Sequence, residues 1–346
     1  MKDRSSTMKK LTIADVAREA GVSKSTVSQF LNQRYHYMSE ATKQKISEVI
    51  ERLDYHPSGL ARGLGLKENR TYMVGIIVAN IDYTLSIACI RAIENELQSF
   101  GIAVIICNAD ESPEKEHKYI EMLKSRQVDG LIVFPTGTAS SMYTKLIEQG
   151  YPVVFLDRLV DGISMHSLLM DNEMACRIAV QEFTQHGHQK IAFLSLPIGK
   201  EGITPRKERL SGFKRAIEDE GLVVEQDYIC SAVKEEIGDT FHQMMSLPTP
   251  PTAILASNDV VLAEILKYAN RHELRIPDDF SVIGIDEAEF AQIYNPTITT
   301  ISQPAYEMGV KAAQIIMSCI EQEGSVPITY RFPPQLIKGQ SVKFRR

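Results

Sequence analysis

Apolar residues near the start of the chain recur at helical spacing and predict three short helices. Their apolar faces are Ile13, Val16, Ala17 and Ala20, then Val27, Phe30 and Leu31, then Ile46, Val49, Ile50 and Leu53. Thr12, Ser23 and Ser39 stand at the expected N-cap positions, and Gly21 can adopt the positive φ that ends the first helix. Two short helices joined by a tight turn form a helix-turn-helix unit, and we expect the third helix to cover it.

The second of these helices, from Lys24 to Leu31, presents an outward face without acidic residues. That face is formed by Lys24, Ser25, Ser28 and Gln29, which are basic, small or hydrogen-bonding. Such a surface can enter the major groove of DNA without repelling the phosphates. The same residues also fit an ordinary helical hairpin with a solvated face.

Residues 55–65, with the sequence YHPSGLARGLG, follow the third helix. Pro57 ends that helix, and the three glycines make the segment a poor helix by itself. A segment that is marginal alone but apolar at Leu60 and Leu64 suits a hinge that becomes helical on DNA. A plain interdomain linker fits the same residues.

From residue 71 onward, apolar runs alternate with amphipathic segments, as is typical of parallel α/β sheets. The predicted strands are 73–79, 102–107, 130–134, 153–156, 191–196, 253–256 and 281–285. The predicted helices are 85–100, 113–126, 140–149, 206–220, 238–247 and 258–272. These two successive sets predict two doubly wound lobes. Ligands of such sheets bind beyond the carboxyl ends of the strands, so we expect Asp157, Asn258-Asp259 and Asp286, which follow apolar runs, in an interlobe cleft.

Composition and charge narrow the possible environments and partners. A length of 346 residues suggests two or three domains. Residues 1–64 carry 11 Lys/Arg and 7 Asp/Glu, a net charge of +4, against −10 for the remainder, so only the head is expected to meet a polyanion. No apolar run is long enough to cross a bilayer and no signal peptide is recognisable, so we expect a cytoplasmic protein without a membrane partner. The five scattered cysteines disfavour disulfides and cysteine-bound zinc.

No catalytic or cofactor motif accompanies these features. The sequence lacks a nucleophile elbow, a P-loop and a dinucleotide fingerprint, so we expect neither enzyme activity nor a cofactor. His186-Gly187-His188 has no cysteine or carboxylate at metal spacing and is interpreted as a turn before a strand, so no metal site is expected. A transport binding protein would share the two lobes, but it would need export and would not carry the basic head.

The segments TIADVAREAGVSKSTVSQFLN (12–32), MSEATKQKI (38–46) and YHPSGLARGL (55–64) resemble the LacI/GalR family of bacterial transcription regulators. Further matching segments follow in the family's order: GIIV (75–78), VDGLI (128–132), PVVFLD (152–157), GHQKIA (187–192), SND (257–259) and SVIGID (281–286). The resemblance implies an all-α N-terminal helix-turn-helix headpiece plus an α/β periplasmic-binding-protein-like effector domain, with two doubly wound parallel-sheet lobes and three crossovers. We expect the DNA-binding domain in 1–56, the hinge helix and linker in 57–70, and the effector-binding and dimerisation domain in 71–346.

The resemblance also implies positions that contact DNA. They are Thr12, Ser23, Lys24, Ser25, Thr26, Ser28, Gln29 and Asn32 in the headpiece, and Leu60, Ala61 and Leu64 in the hinge. The family often has arginine where this chain has Gln29, and a glutamine amide pairs better with adenine, so an altered base preference is expected. Leu64 matches a leucine that the family inserts into the minor groove, so Leu64→Ala should weaken operator-specific binding more than non-specific binding.

Effector-binding positions carry over in the same way. They are Asp82, Asp157, Arg209, Phe241, Asn258 and Asp286, of which Phe241 fits either a pocket wall or packing beneath its helix. Basic residues near the expected mouth indicate either an acidic effector or ordinary solvated charge; they are Arg158, Lys200, Arg206, Lys207 and Lys234. The family's aromatic sugar-stacking position on the second lobe is occupied here by a polar residue near Glu235.

The expected function is sequence-specific transcriptional regulation. We expect a repressor of a carbohydrate-catabolism operon that binds a pseudopalindromic double-stranded DNA operator as a homodimer and is released by a small sugar or sugar acid. The alternative is a corepressor-dependent or pleiotropic regulator that responds to a nucleobase, a sugar phosphate or a phosphorylated carrier protein. Residues 338–346 show no leucine heptad, which favours a dimer over a tetramer.

Overall fold

The structure, a computed structural model, describes residues 11–31, 34–35, 38–53, 55, 70–137, 140–198, 203–321 and 326–345. Two compact units are present, Met1–Thr71 and Tyr72–Arg346. None of the described helices is both long enough and apolar enough to span a membrane.

The described residues of the first unit form three helices, as the apolar spacing predicts. They are α1 (Ile13–Ala20), α2 (Lys24–Leu31) and α3 (Glu40–Leu53). Gly21 has a φ of 63° and ends α1, while the Ser23 hydroxyl accepts the Thr26 N–H at 3.1 Å at the start of α2. Val16, Val27 and Ile46 are fully buried and join the three helices in one small apolar core, which confirms the predicted faces.

The second unit alternates strands and helices. Its helices are α4 (Thr84–Ser99), α5 (Pro113–Ser125), α6 (Ser140–Glu148), α7 (Asn172–Gln185), α8 (Thr204–Asp219), α9 (Ile237–Met245), α10 (Asp259–Arg271), α11 (Glu289–Ile293) and α12 (Ala305–Glu321). Its strands are β1 (Met73–Val78), β2 (Ala103–Asn108), β3 (Gly130–Val133), β4 (Val153–Leu156), β5 (His166–Met170), β6 (Ile191–Ser195), β7 (Ile229–Ser231), β8 (Ala253–Ala256), β9 (Ser281–Ile285), β10 (Thr299–Ser302), β11 (Thr329–Phe332) and β12 (Gln335–Ile337).

The strands form two six-stranded sheets, one in each lobe. Lobe 1 has the order β11-β5-β4-β3-β1-β2 with all pairs parallel, and lobe 2 has the order β12-β10-β9-β8-β6-β7. Strand β12 is antiparallel to β10, which departs from the expectation of purely parallel sheets. The backbone crosses between the lobes after β5, after β10 and after β11, so the three crossovers implied by the resemblance are confirmed.

Layers of apolar side chains pack each sheet against its helices. In lobe 1, α4 and α12 pack on one face through buried residues such as Ile93 and Ile316. In lobe 2, α7 and α8 do the same through Cys176 and Phe213. Because the sheets are covered by helices, the carboxyl ends of their strands are left to line a ligand site.

Candidate functional site

The outward side of α2 is the first candidate site. Lys24, Ser25 and Gln29 are exposed, Ser28 is half-buried, and Val27 anchors the opposite side of the helix in the core. The protein therefore offers a rigid helix whose exposed side chains can donate and accept hydrogen bonds. Contact of these residues with base edges stays a prediction.

Hydroxyl groups crowd the two helix starts of the headpiece. The Ser23 hydroxyl lies 2.6 Å from that of Ser25 and 2.8 Å from that of Thr26, which is half-buried. Thr12 donates its N–H and its hydroxyl to the Asp15 carboxylate at 3.0 and 2.7 Å. These hydrogen bonds hold the pKa of Asp15 near 2, so the carboxylate stays ionised at the positive end of α1.

Four of the predicted DNA-contact residues lie outside the described residues. They are Asn32, Leu60, Ala61 and Leu64. The predicted role of the hinge therefore rests on sequence.

A cleft between the two lobes forms the second candidate site. It encloses a narrow cavity of about 50 Å³. Its lining comprises Tyr83, Leu85, Asp157 and Arg158 from lobe 1, Leu196, Ile203, Pro205, Arg206, Arg209, Ser257, Asn258, Asp259 and Asp286 from lobe 2, and Gln303 from a crossover. The structure thus brings together four of the six predicted effector residues: Asp157, Arg209, Asn258 and Asp286.

Asp157 and Asp286 occupy equivalent places in the two lobes. Asp157 directly follows β4 and has a φ of 68°, and Asp286 directly follows β9 and has a φ of 81°. Their N–H groups still donate to the neighbouring strands, at Leu168 O and Ile301 O. The left-handed conformation is uncommon for residues other than glycine, and it turns the backbone sharply where each strand meets the cleft.

Arg209 is held rigidly on α8. Its Nε donates to Asn172 Oδ1 at 2.8 Å and its Nη1 donates to Ser257 O at 2.5 Å, and the residue is only 5% exposed. Asn172 in turn donates to Glu208, which forms a two-bond pair with Arg331 near the third crossover. Arg209 is therefore fixed by a hydrogen-bond network that extends to Arg331, near the third crossover between the lobes.

Burial has the largest effect on the pKa values of two carboxyl groups in the cleft. It raises the pKa of Asp286 to about 6, with Asp259 and Asp157 adding to the rise and Arg209 opposing it. It also raises the pKa of Asp157, against the attraction of Arg158 and Arg209. Two buried carboxyl groups that share one cationic neighbour are well suited to accept hydrogen bonds from ligand hydroxyls.

Arg158, in the cleft lining, forms a half-buried ion pair with Glu111, whose side chain is 31% exposed. Arg158 donates through Nη1 and Nη2 to the two carboxylate oxygens of Glu111 at 2.8 and 2.7 Å. Glu111 also accepts the Tyr83 hydroxyl at 2.9 Å. The sequence predicts Arg158 at the mouth of the cleft. In the structure its charge is paired with Glu111 of the same protein.

The other basic residues of the predicted mouth have varied positions. Arg206 lines the cleft and donates to Pro197 O at 2.7 Å. Lys207 pairs with Asp161 at 3.5 Å, and Lys234 is exposed on a short 3-10 turn outside the cleft lining. Lys200 lies outside the described residues.

Two predicted effector residues are not in the cleft lining. Phe241 is fully buried and packs against Tyr268 and Phe280, so it belongs to the core of lobe 2 rather than to the pocket. Asp82 is exposed in the loop after β1, where its N–H donates to Asn80 Oδ1 at 2.9 Å. That turn places the next residue, Tyr83, in the cleft instead.

Comparison with known proteins agrees with this arrangement. Residues 12–58 match the family described as bacterial regulatory proteins, lacI family, and residues 180–342 match the periplasmic binding protein-like domain. The chain is 45% identical over 312 residues to the probable HTH-type transcriptional regulator EndR of Paenibacillus polymyxa, covering 90% of this chain and 91% of the relative. The chain belongs to the LacI family.

Other LacI-family members align along nearly the whole sequence. The ribose operon repressor of Halalkalibacterium halodurans is 32% identical over 338 residues, covering 96% of this chain and 97% of the relative. The lac repressor dimer bound to operator and the anti-inducer ONPF is similar in fold, with a TM-score of 0.83, 24% identity, and coverage of 97% of this chain and all of that chain. The protein is therefore a transcriptional regulator, and its relatives are regulators rather than enzymes.

Sequence reasoning missed residues of this LacI-family cleft, among them Tyr83 and Gln303. Both line it, and Gln303 donates its amide to Asp286 Oδ1. Asp259, by contrast, was located by its position after an apolar run, and it lines the cleft. Gln303 was not recognisable, because the strand before it, β10, was not predicted.

Proposed function

We propose that the protein is a repressor of a carbohydrate-catabolism operon that binds a pseudopalindromic operator as a dimer and is released by a small sugar. The observation that carries this proposal is the convergence of Asp157, Arg209, Asn258 and Asp286 on one interlobe cleft. Carboxylates, an amide and a guanidinium can together satisfy a ligand that offers several adjacent hydroxyl groups. The name of the related ribose operon repressor supports a carbohydrate effector.

The charges of the cleft favour a neutral sugar over a sugar acid. Three aspartates and three arginines line it, and Glu111 lies directly behind Arg158. The described lining therefore has no excess positive charge to offset a buried carboxylate of the ligand. A neutral polyol needs only hydrogen bonds, which this lining supplies.

Effector binding would act on DNA through the angle between the lobes. Contacts that join the lobes surround the cleft, among them the Leu159 N–H, which donates to the Thr204 hydroxyl at 2.9 Å. A ligand that binds more tightly at one lobe angle than at another would shift the protein toward that angle, against the direct contacts between the lobes. We infer that the lobe angle sets the separation of the two hinges of a dimer, and with it operator affinity.

Exposed apolar residues of lobe 1 support the proposed dimer. Tyr72 precedes β1, Ile87 lies on α4 and Ile106 lies on the edge strand β2, and they are 46%, 56% and 44% exposed. Exposed large apolar side chains are suited to burial against a second copy. Size-exclusion chromatography with light scattering should give a mass of twice 38.8 kDa.

Two measurements test the function. Selection of bound fragments from the source genome, followed by footprinting, should yield a palindromic site upstream of carbohydrate genes. Thermal shift with sugars, sugar acids, sugar phosphates and nucleobases should then show a response to a sugar, which Asp286→Ala should abolish. Failure to bind any palindromic promoter fragment at low salt would overturn the proposal, and a response to sugar acids or nucleobases alone would overturn its choice of effector.

A further inference from the structure

We propose that a groove on lobe 1, between α12 and the edge strand β11, is a second ligand site that binds an aromatic carboxylate through Lys311. The groove has a volume of about 420 Å³, within the range of about 300–1,000 Å³ that is usual for small-molecule sites. Five residues of α12 and three of β11 line it, and none of the eight belongs to the described lining of the interlobe cleft. The groove is therefore a site apart from the cleft, and its ligand need not be a sugar.

Three aromatic side chains line the groove. Tyr306 on α12 is 61% exposed, and Tyr330 and Phe332 on β11 are partly buried against the core of lobe 1. Val310 adds an aliphatic side chain. A group of exposed large apolar side chains marks a site of interaction, and aromatic rings gain more from contact with another ring than from burial alone. The ligand is therefore expected to carry a flat aromatic ring.

Lys311 supplies the positive charge of the groove. It is half-buried, its Nζ lies 5.1 Å from the centre of the Tyr330 ring, and no ion pair involves it in the described part of the chain. The groove's other cation, Arg331, is already paired with Glu208 through two hydrogen bonds at 3.0 and 2.6 Å. Glu307, one helical turn before Lys311, is exposed and solvated. Because a cation partly removed from water is costly without a partner, a ligand carboxylate beside Lys311 would be stabilised there.

A second groove adjoins the first at Lys311. Its volume is about 350 Å³, and it shares Lys311, Gln314 and Tyr330 with the larger groove. Val326 and Ile328, which are 78% and 48% exposed, also line it. Since Lys311 belongs to both grooves, the carboxylate is expected at their junction and the aromatic ring in the larger groove.

Strand β11 connects this site to the interlobe cleft. Arg331 of β11 pairs with Glu208 of α8 in lobe 2, and Glu208 accepts a hydrogen bond from Asn172 at 2.9 Å. Asn172 in turn accepts the Nε of Arg209, in the cleft lining, at 2.8 Å. Because the ligand would contact the strand that carries this interlobe pair, its binding is linked to the lobe angle and thereby to operator affinity.

Calorimetry on the full-length protein with three related compounds tests the site. The probe is 2-naphthoate; 2-naphthamide has the same rings without the charge, and decahydro-2-naphthoate has the charge without aromatic rings. We expect 2-naphthoate to bind once per chain, about tenfold more tightly than 2-naphthamide, because the amide lacks a charged partner for Lys311. It should also bind about fivefold more tightly than decahydro-2-naphthoate, which cannot form ring contacts.

Two lysine variants locate the binding site. Lys311→Met removes the charge but keeps a long unbranched side chain, so it should weaken 2-naphthoate about tenfold and leave 2-naphthamide unchanged. Lys145→Met is the matched control, because Lys145 is exposed on α6 and lines neither groove. Circular dichroism checks that each variant is folded.

The link to DNA is measured by fluorescence anisotropy of a labelled operator fragment. Saturating 2-naphthoate should change operator affinity about fivefold or more in the unsubstituted protein and in Lys145→Met. Glu208→Gln, which lies outside the groove lining, should still bind 2-naphthoate but lose this change.

Each contrary outcome overturns a defined part of the proposal. Absence of 2-naphthoate binding, equal affinity for 2-naphthamide, or unchanged affinity in Lys311→Met would exclude the carboxylate site. Elution of Tyr306→Ala at half the mass of the unsubstituted protein would show that the groove is an interface between two copies. Binding of 2-naphthoate without a change in operator affinity would refute the link and leave the site standing. A protein that binds 2-naphthoate but no operator fragment would overturn the proposed function and the link, again without affecting the site.

Discussion

Thr84 and Asp259 join the two lobes through one carboxylate oxygen. The N–H and the hydroxyl of Thr84 both donate to Asp259 Oδ2, at 3.1 and 2.7 Å. Thr84 is the first residue of α4 in lobe 1, and Asp259 is the first residue of α10 in lobe 2. Because the first N–H groups of a helix lack partners within it, Asp259 caps α4 from the opposite lobe, and separation of the lobes would leave that helix end uncapped.

The first prediction concerns this contact. Thr84→Val removes the hydroxyl but keeps the size, the branching and the backbone N–H, so it should weaken the interlobe contact by about 1.5 kcal/mol, the value of a hydrogen bond to a charged group. The population with separated lobes should rise about tenfold. Small-angle X-ray scattering should therefore report a larger radius of gyration for the variant.

Thr144→Val is the matched control for that experiment. The Thr144 hydroxyl donates to Ser140 O within α6, so its loss affects one helix of the same lobe and no interlobe contact. Identical scattering curves for Thr84→Val and the unsubstituted protein would show that this contact does not determine the lobe angle.

The second prediction follows from the buried carboxyl of Asp286. Its pKa of about 6 lies above the value of 3.8 for the unfolded protein, because burial disfavours the charged form. The folded protein therefore binds this proton more tightly, and the free energy of unfolding contributed by Asp286 falls as pH rises from about 4 to about 6. Asp286→Asn cannot ionise, so its stability relative to the unsubstituted protein should increase over that window and level off above it.

Urea unfolding of both proteins across that pH range provides the measurement. Asp278→Asn is a control of opposite sign, since Lys343 lowers the pKa of Asp278 by a hydrogen bond and by charge. That variant should lose stability relative to the unsubstituted protein near neutral pH and match it in acid. A constant difference between Asp286→Asn and the unsubstituted protein at every pH would contradict the raised pKa.

The third prediction concerns the half-buried pair of Glu111 and Arg158. Glu111→Gln keeps the shape but removes one of two carboxylates near Arg158, since the Glu111 side chain is 31% exposed and Asp157 Oδ2 lies 3.6 Å from Arg158 Nε. Because Asp157 and partial solvation still compensate the charge of Arg158, the variant should lose about 1.5 kcal/mol of unfolding free energy, the value of a hydrogen bond to a charged group, rather than the larger loss of a fully buried pair. Chemical denaturation followed by circular dichroism measures this loss.

The neighbouring pair of Asp110 and Lys115 supplies the control. Their side chains are 56% and 50% exposed, and solvent screens such pairs, so Asp110→Asn should leave the midpoint of unfolding nearly unchanged. Equal effects of the two substitutions would mean that solvent screens the pair of Arg158 and Glu111 as fully as it screens an exposed pair.

Much of the fold was predictable because local sequence patterns specify its helices and strands. Within the described residues, every predicted strand and helix is present, with ends displaced by at most two residues, since buried strands read as apolar runs and their helices as amphipathic ones. The elements that were missed include β7 and β12, which are three residues long, and α7, which the sequence analysis did not mark. The antiparallel direction of β12 depends on a crossover, which no local pattern reveals.

The candidate site was predictable to the extent that it follows strand ends. Asp157 and Asp286 were located by that rule, whereas the pairing of Arg158 with Glu111, 47 residues earlier, depends on tertiary contact. The sequence left Phe241 open between a pocket wall and packing beneath its helix, and the structure shows the second, with Ile237, Phe241 and Met244 at helical spacing and all buried. That spacing favoured a core position, and it was a stronger signal than the position of the residue in the family.

The last prediction concerns base recognition by α2. Gln29 is exposed on this helix, and its amide can pair with the N6 and N7 atoms of adenine, whereas arginine would form two hydrogen bonds to guanine. Gln29→Arg should therefore change the preferred base at one position in each half-site, with a discrimination of about 1–3 kcal/mol. Selection from a randomised operator library gives the base preferences of both proteins.

Gln44→Arg introduces the same charge at an exposed position on α3, so it should raise affinity for all sequences without changing the preference. An unchanged preference in Gln29→Arg, or the same change in Gln44→Arg, would exclude Gln29 as the residue that reads this base.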